Sequence, residues 1–474
     1  ASGYNASQLD SIFKSVDADA LLQDYIPRNS KSFYEKRNDE IYALQLPFDD
    51  FKIGSPVSLS KGMYNYNLLN KLLAHVRYEH DFSKLPIPFL CIATDVVSGE
   101  AVVLEKGNLP QSILASGAFP SLYTPVEIDD RLLIDGGVVN NYPIQELRDR
   151  GIDIIIGVDV QDGKKDRENL KGALDILMQI ANYGMYSGMD EKKKQTDIYI
   201  KPDISTFSVV TFDKGNEIIQ KGIAAAKEKI PQLQKISSNY TKPKLPDYMF
   251  TDDIHIHSVS MNKLKNYNKD YVFGKLGYFK DECVSFKRLE NGITNLNATQ
   301  NFSGISYHFE KADEEGDNLV LNLKENTVNR FLKFGLHFDN LYKSAALVNV
   351  TQKKLLFKND LASLDFIFGD NIRYNFNYLV DNGFRWSFGA QSRFNKFKYN
   401  AKPYETGVIP PEFLGFDIFN TDWNDLTNRL YLQNYYNDKF VIGMGVEHKY
   451  QIVDIANLNL DKSWLDNSHY ISPY

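Results

Sequence analysis

The chain has 474 residues, with 54 Lys and Arg set against 61 Asp and Glu, a formal net charge of −7 and a pI near 5.7. That acidic balance argues against a general nucleic-acid binder, and the length leaves room for roughly two to four domains of about 150 residues each. No run approaches the ~20 consecutive apolar residues of a membrane-spanning helix.

Residues 5–80 read mainly as helices and loops, with an amphipathic turn at 7–13 and helical spacing at 66–74. Apolar strands are expected at 89–94, 101–104, 131–134 and 152–158. A short helix is expected at 144–150, behind Pro143 as its entry residue. Near-continuous apolar runs such as Ile154-Ile155-Ile156 suit a parallel sheet buried on both faces. Residues 1–238 are therefore expected to form an α/β domain with a mainly parallel sheet. Helices at 173–185 and 217–227 flank a further strand at 197–200. The run Lys192-Lys193-Lys194 reads as a solvated helix end and not as a phosphate site. Cys91 lies in an apolar strand and Cys283 far from it in sequence, so no disulfide is expected.

The stretch on which the reading turns is 131–143. Leu132-Leu133-Ile134 delivers Asp135 to a strand end, and Gly136-Gly137 follows, where the absence of a Cβ permits a sharp turn and a close approach. Such a carboxylate is either a solvated turn residue or a charged group placed in the crevice of an α/β sheet.

Residues 85–100, 115–126, Asp135-Gly136-Gly137 and 151–160 occur in an order that resembles the patatin-like phospholipases, bacterial lipid acyl hydrolases, over about residues 1–238. The resemblance implies that Asp135 partners a nucleophilic serine and takes its proton directly, with no histidine between them. Gly136 and Gly137 then serve the site's geometry, and neither a metal nor a cofactor is needed. An aspartate can act as base only if its pKa is raised toward neutrality, which burial would do. The family's serine sits in a Gly-x-Ser-x-Gly elbow, and no such pentapeptide occurs in these residues. Residues 1–4 resemble the segment after the nucleophile helix, so the serine and its glycine-rich oxyanion loop are expected upstream of Ala1. Ser116 is excluded as nucleophile because position 114 is Leu and not Gly. His75 and His80 match no family motif and read as exposed surface residues. Phe119, Pro120, Tyr123 and Pro125 either wall an acyl pocket or are plain core residues. Pro202-Asp203 matches a Pro-Asp that the family often carries after its last strand.

A linker rich in Ser, Asn, Lys and Pro follows at 239–250. In 251–327, Ile254, Ile256 and Val259 mark a strand, and Leu289, Ile293 and Leu296 share a helix face. A second strand covers 302–309, and Leu319, Leu321 and Leu323 alternate in a third. A strand, two short helices and a hairpin resemble a POTRA domain, the periplasmic module that precedes outer-membrane barrels of the Omp85 class.

From 328 to 474 the pattern becomes strict alternation. About seven strands of near ten residues run in series, with aromatics at their ends and all three tryptophans (Trp386, Trp423, Trp464) among them. A soluble sandwich also alternates, but strands of this length in series suit an antiparallel transmembrane β-barrel. Leu332, Phe334, Phe376, Trp386, Phe388 and Met444 are expected to face lipid; Lys333, Arg373, Arg385 and Glu447 are expected to face the lumen. The resembled class uses more strands, and an open sheet edge cannot be left in lipid, so a partial barrel is expected. The resulting expectation is an outer-membrane-anchored serine acyl hydrolase acting on phospholipid or related esters. The alternative is a non-catalytic POTRA and barrel component of outer-membrane assembly or secretion, with the patatin-like region as a binding module. The expected partners are a lipid substrate, the outer membrane and, through the POTRA-like module in the periplasm, assembly or secretion proteins; no nucleic acid is expected.

Overall fold

A computed structural model of the chain describes residues 1–22, 26–49, 52–54, 58–161, 166–170, 172, 176, 179–180, 183–186, 188–208, 211–237, 252–313, 315–340, 343–383, 385–401, 419–436, 440–455 and 468–474. The linker expected at 239–250, and most of the helix expected at 173–185, lie outside the described residues. The chain divides into two compact units, one of residues 1–25, 57–255 and 308–319, the other of 26–56, 256–307 and 320–474.

The first unit is built on a four-stranded sheet in the order Ala101–Leu104, Cys91–Asp95, Arg131–Asp135, Val126–Ile128. All three pairings are antiparallel, which corrects the expectation of a mainly parallel sheet. The cause is local. Asp129 and Asp130 both take positive φ (50° and 62°), and two such residues make the tight hairpin turn that matches strand twist. The connection from Asp95 to Ala101 is likewise closed by the Gly99 N–H donating to Asp95 O at 2.8 Å. Short connections of this kind can join only antiparallel neighbours. A parallel pair does form, between Ile156–Val158 and Ile198–Ile200. The run 152–158 yields so short a strand because Ile154, Ile156 and Val158 are about half exposed while Ile155 is buried; the apolar run has one covered face and not two.

The Leu109–Ser116 helix packs its Ala115 against Ala93, Leu104 and Leu133 of the antiparallel sheet. It starts where the Asn108 side chain accepts from the Gln111 N–H, with Pro110 in its first turn. The first residues of the chain are tied into the same unit: Ile87 N–H donates to Ala1 O, and the Tyr4 hydroxyl donates to Leu72 O at 2.7 Å.

The second unit contains a sheet of ten strands. Eight are consecutive and antiparallel: Arg330–Asp339, Lys343–Lys353, Asp360–Gly369, Arg373–Val380, Ser387–Ala401, Phe419–Tyr436, Phe440–Ile455 and Ser468–Pro473. The first of them also pairs with Leu44–Asp49, whose other neighbour is Lys52–Ile53. Residues 26–56, read from sequence as helix and loop, thus supply a strand that covers the N–H and C=O groups of the Arg330–Asp339 edge.

Register sorts this sheet into two faces. Leu332, Val350, Leu364 and Phe376 lie in one cross-strand row, and Phe388, Leu432 and Met444 in another on the same face. Leu336, Phe338, Leu430, Ile442 and Val446 stand exposed there, a contiguous apolar surface of the kind that marks contact with lipid or protein. Lys333, Asn349, Asp365 and Asn375 form a buried polar row on the opposite face, which also carries Arg373 and Glu447. Arg385 and Trp386 depart from the expected pattern. They precede the strand that begins at Ser387, in a turn containing Gly383 at φ +67°, and Arg385 pairs there with Asp270 at 2.7 Å.

A smaller four-stranded sheet runs in the order Glu282–Ser285, Asp253–Met261, Asp317–Glu325, Phe302–Lys311, with helices Lys269–Leu276 and Phe286–Ala298. Leu289, Ile293 and Leu296 are fully buried, as the helical spacing predicts; the strand Glu282–Ser285 between the helices was not foreseen. Lys353 of the large sheet donates to Thr299 O and to Asn301 Oδ1. The two helices cross at Gly292, where a Cβ would lie 2.2 Å from Leu276 O. Gly292→Ala should therefore force the helices apart and cost about 1–3 kcal/mol. A chemical-denaturation midpoint equal to that of the unsubstituted protein would contradict this close crossing.

Candidate active site

Asp135 ends the Arg131–Asp135 strand, whose Leu133 is buried among Ala93, Leu104 and Ala115. Its backbone is held on both sides: the N–H donates to Ala118 O at 3.0 Å, and the carbonyl accepts from Thr94 Oγ1 at 2.9 Å. The chain then turns through a single 3-10 turn, Gly136–Val138, capped by the Asp135 side chain, which accepts from Gly137 N–H at 2.6 Å. Neither glycine has a positive φ, so space and not backbone handedness demands them. A Cβ on Gly136 would lie 2.2 Å from Ile92 O; one on Gly137 would lie 2.8 Å from Asn141 Oδ1 and 2.9 Å from Asp135 Oδ1. Any larger residue would push the turn off the neighbouring strand or displace the carboxylate.

Burial pushes the Asp135 carboxyl above its ordinary value, and the single N–H from Gly137 acts in the opposite direction. Among the described residues no cationic side chain pairs with this carboxylate, and no serine hydroxyl bonds to it. A carboxylate that is desolvated and lacks a countercharge is a stronger proton acceptor than a surface aspartate.

Ser116 Oγ donates to Ile92 O at 2.6 Å, a bond within the scaffold, in keeping with its exclusion as nucleophile. Cys91 is a free thiol that burial pushes up to about 12, and its Sγ faces Ser112 O. Ala118 links the segment carrying Phe119 and Pro120 to the Asp135 backbone. Tyr123 is placed differently. It is buried, bridges to Ser60, and its hydroxyl donates to Leu21 O at 2.7 Å, so it braces the scaffold, with Pro125 two residues further on.

Two expectations are corrected around the site. His75 is not an exposed histidine: it is half-buried, its Nε2 bonds to Ser2 O at 2.8 Å, it meets Tyr4 edge-on, and burial lowers its pKa. It anchors the first residues of the chain, whereas His80 is exposed as expected. Lys192 is not a solvated helix end either. Its ammonium donates to Asn140 Oδ1 at 2.8 Å, and Asn140 in turn donates to Glu146 Oε1 at 2.6 Å and, through its N–H, to Gly136 O. The glycine turn is thus clamped from its far side by a Lys-Asn-Glu chain that charge patterning alone does not reveal. Gly184 is a further residue missed from sequence; a Cβ there would lie 2.3 Å from Val138 O, so the Tyr183–Tyr186 helix can close on the same turn.

Comparison with known proteins agrees with these two regions. Residues 1–148 match the family model described as patatin-like phospholipase, and residues 317–474 match that of the OMP85 superfamily. An uncharacterised NTE family protein of Mycobacterium tuberculosis is 39% identical over 75 residues, 16% of this chain and 21% of that protein. The lysophospholipase NTE1 of Candida albicans is 25% identical over 167 residues, 30% of this chain and 12% of that protein. The chain therefore spans only a minor part of the length of the curated relatives it matches. Among solved structures, BamA from Haemophilus ducreyi lacking POTRA domains 1–3 aligns with a TM-score of 0.31 at 8% identity, over 46% of this chain and 42% of that one. The chain carries a patatin-like phospholipase domain at its N-terminal end and an OMP85-superfamily domain at its C-terminal end.

Proposed function

We propose that the protein is an outer-membrane-anchored serine acyl hydrolase, a phospholipase or carboxylic ester hydrolase, with Asp135 as the base of a Ser-Asp dyad. The observation that carries the reading is the Asp135 carboxylate, desolvated at a strand end and held by a turn that only glycines fit. The nucleophile belongs to a Gly-x-Ser-x-Gly elbow, a pentapeptide that these 474 residues do not contain. Asp135 takes the serine proton as Oγ attacks the ester carbonyl and returns it to the leaving alcohol as the acyl-enzyme forms. It then deprotonates the water that releases the fatty acid. Phe119 and Pro120, fixed against the Asp135 backbone through Ala118, suit the wall of an acyl pocket better than Tyr123, whose hydroxyl is spent on Leu21.

The domain layout that goes with this function is a hydrolase region at 1–238, a linker at 239–250, a POTRA-like module at 251–327 and the first part of a barrel at 328–474. The apolar sheet face would contact lipid, and the POTRA-like module would face the periplasm, where it could dock assembly or secretion proteins.

In the complete protein, Asp135→Asn should lower kcat for a short-chain ester by at least about 100-fold, the low end of what a positioned base contributes. Its unfolding temperature should be unchanged or raised, because a neutral amide is less costly to bury than a carboxylate. Hydrolysis at the wild-type rate would return Asp135 to a structural turn and favour the binding-module alternative. Gly136→Ala should act differently. The added methyl meets Ile92 O, so stability should fall by about 1–3 kcal/mol together with activity. Full stability with full activity would show that the turn does not need this close approach.

A further inference from the structure

The polar face of the large sheet holds a cavity of about 330 Å³, bounded by the Phe33–Ile41 helix and by strands from Arg330–Asp339 to Ser387–Ala401. Three arginines line it, Arg37, Arg373 and Arg393, against one carboxylate, Asp365; three positive charges less one negative leave an excess of two. His337, which also lines it, bonds Asp339 through Nε2.

Asp365 has no capacity to serve the remaining arginines. Its oxygens accept from Arg37 Nη2 at 2.5 Å, Tyr42 Oη at 2.6 Å, Asn349 Nδ2 at 2.5 Å and Asn375 Nδ2 at 2.8 Å, which fills the four sites a carboxylate offers. The next carboxylate along the sheet, Asp425, is engaged by Asn395 and Thr427. Among the described residues, Arg37 Nη1 and Arg393 Nε at this cavity are buried with no hydrogen-bond partner. Among the described residues no carboxylate pairs with Arg393. Buried polar groups are nearly always satisfied, and buried charges are paired, so donors left over at a basic cavity call for an acceptor that the described residues do not supply.

We propose that this cavity binds a phosphate-class oxyanion, with Arg393 and Arg37 as its principal donors. The guanidinium fork matches phosphate oxygens in pairs, and a tetrahedral anion has oxygens to present to arginines that arrive from a helix and from two different strands. The volume exceeds that of a bare phosphate, and Ile41, Leu347 and Ile367 give it an apolar side, so a phosphate monoester fits both parts. The source is a lipid headgroup or a free phosphate ester. Because Arg37 lies within the residues that match the hydrolase family while Arg393 lies in the barrel-type sheet, the anion would bridge two parts of the chain far apart in sequence. The inference does not depend on the proposed catalytic role of Asp135.

The test is a titration of the complete protein in zwitterionic detergent with inorganic phosphate, with glycerol 3-phosphate, and with phosphatidic acid in mixed micelles. Sodium chloride at equal ionic strength is the reference, and unfolding temperature and calorimetric heat are the readouts. Saturable binding of one equivalent is expected, with affinity at least ten-fold weaker in Arg393→Gln and partly retained in Arg393→Lys. The lysine variant also serves if the glutamine variant does not fold. Saturation by glycerol 3-phosphate indicates a free phosphate ester; saturation by phosphatidic acid alone indicates a headgroup held with its chains. No saturable response to any of the three beyond that of chloride overturns the site, as does an affinity unchanged in both Arg393 variants.

Discussion

The site depends on keeping a carboxylate out of water without a countercharge. Asp135 is half-buried at the end of a strand and receives one short hydrogen bond from the Gly137 N–H, and among the described residues neither lysine nor arginine pairs with it. That arrangement costs stability, and the surrounding structure holds it in place. Thr94 and Ala118 fix the backbone of the residue, Ile92 O takes up the space a side chain at 136 would need, and Lys192, Asn140 and Glu146 brace the turn from behind. Neutralising the charge with a nearby cation would stabilise the fold, and it would also lower the basicity that the proposed acyl transfer requires. The absence of a pairing cation and the rigidity of the turn are two aspects of one requirement.

A second constraint governs the C-terminal half. A sheet that presents Leu336, Phe338, Leu430, Ile442 and Val446 on one face and Lys333, Asn349 and Asp365 on the other must satisfy its polar groups on the protein side. It does so with material from far away in sequence: Tyr34 bonds Thr351, and Arg37 and Tyr42 both bond Asp365. Burying an ion pair of this kind adds little net stability, but it is selective, because removal of either partner leaves an unpaired charge inside. The segment 26–56 therefore has a defined seat on the polar face.

Much of this was legible in the sequence, and for identifiable reasons. Asp135-Gly136-Gly137 could be read because chemistry and sterics act over three adjacent residues. The polar and apolar faces of the large sheet could be read because a period of two survives along each strand, so that Lys333 and Arg373 fall opposite Leu332 and Phe376. What could not be read is what depends on distant partners. Leu44–Asp49 has no strong local strand signal; it is a strand because Arg330–Asp339, nearly three hundred residues on, offers an edge. The Ile154-Ile155-Ile156 run does lead into a parallel pair, but an apolar run does not say how many of its faces will be covered or how the strands at 91–135 will pair. Lys192 reads as a solvated charge in sequence because its partner, Asn140, lies some fifty residues away on the glycine turn.

The proposed dyad stands or falls on the ionisation of Asp135, and the most direct probe is the pH dependence of covalent labelling by a fluorophosphonate. In the complete protein, labelling should fall on a single serine. Its rate should be lost as pH falls through one ionisation lying above the ordinary carboxylate range, because the base must be unprotonated and burial raises its pKa. Failure of any serine to label, or a rate that stays constant with pH until the ordinary carboxylate value near 4 is reached, would contradict it.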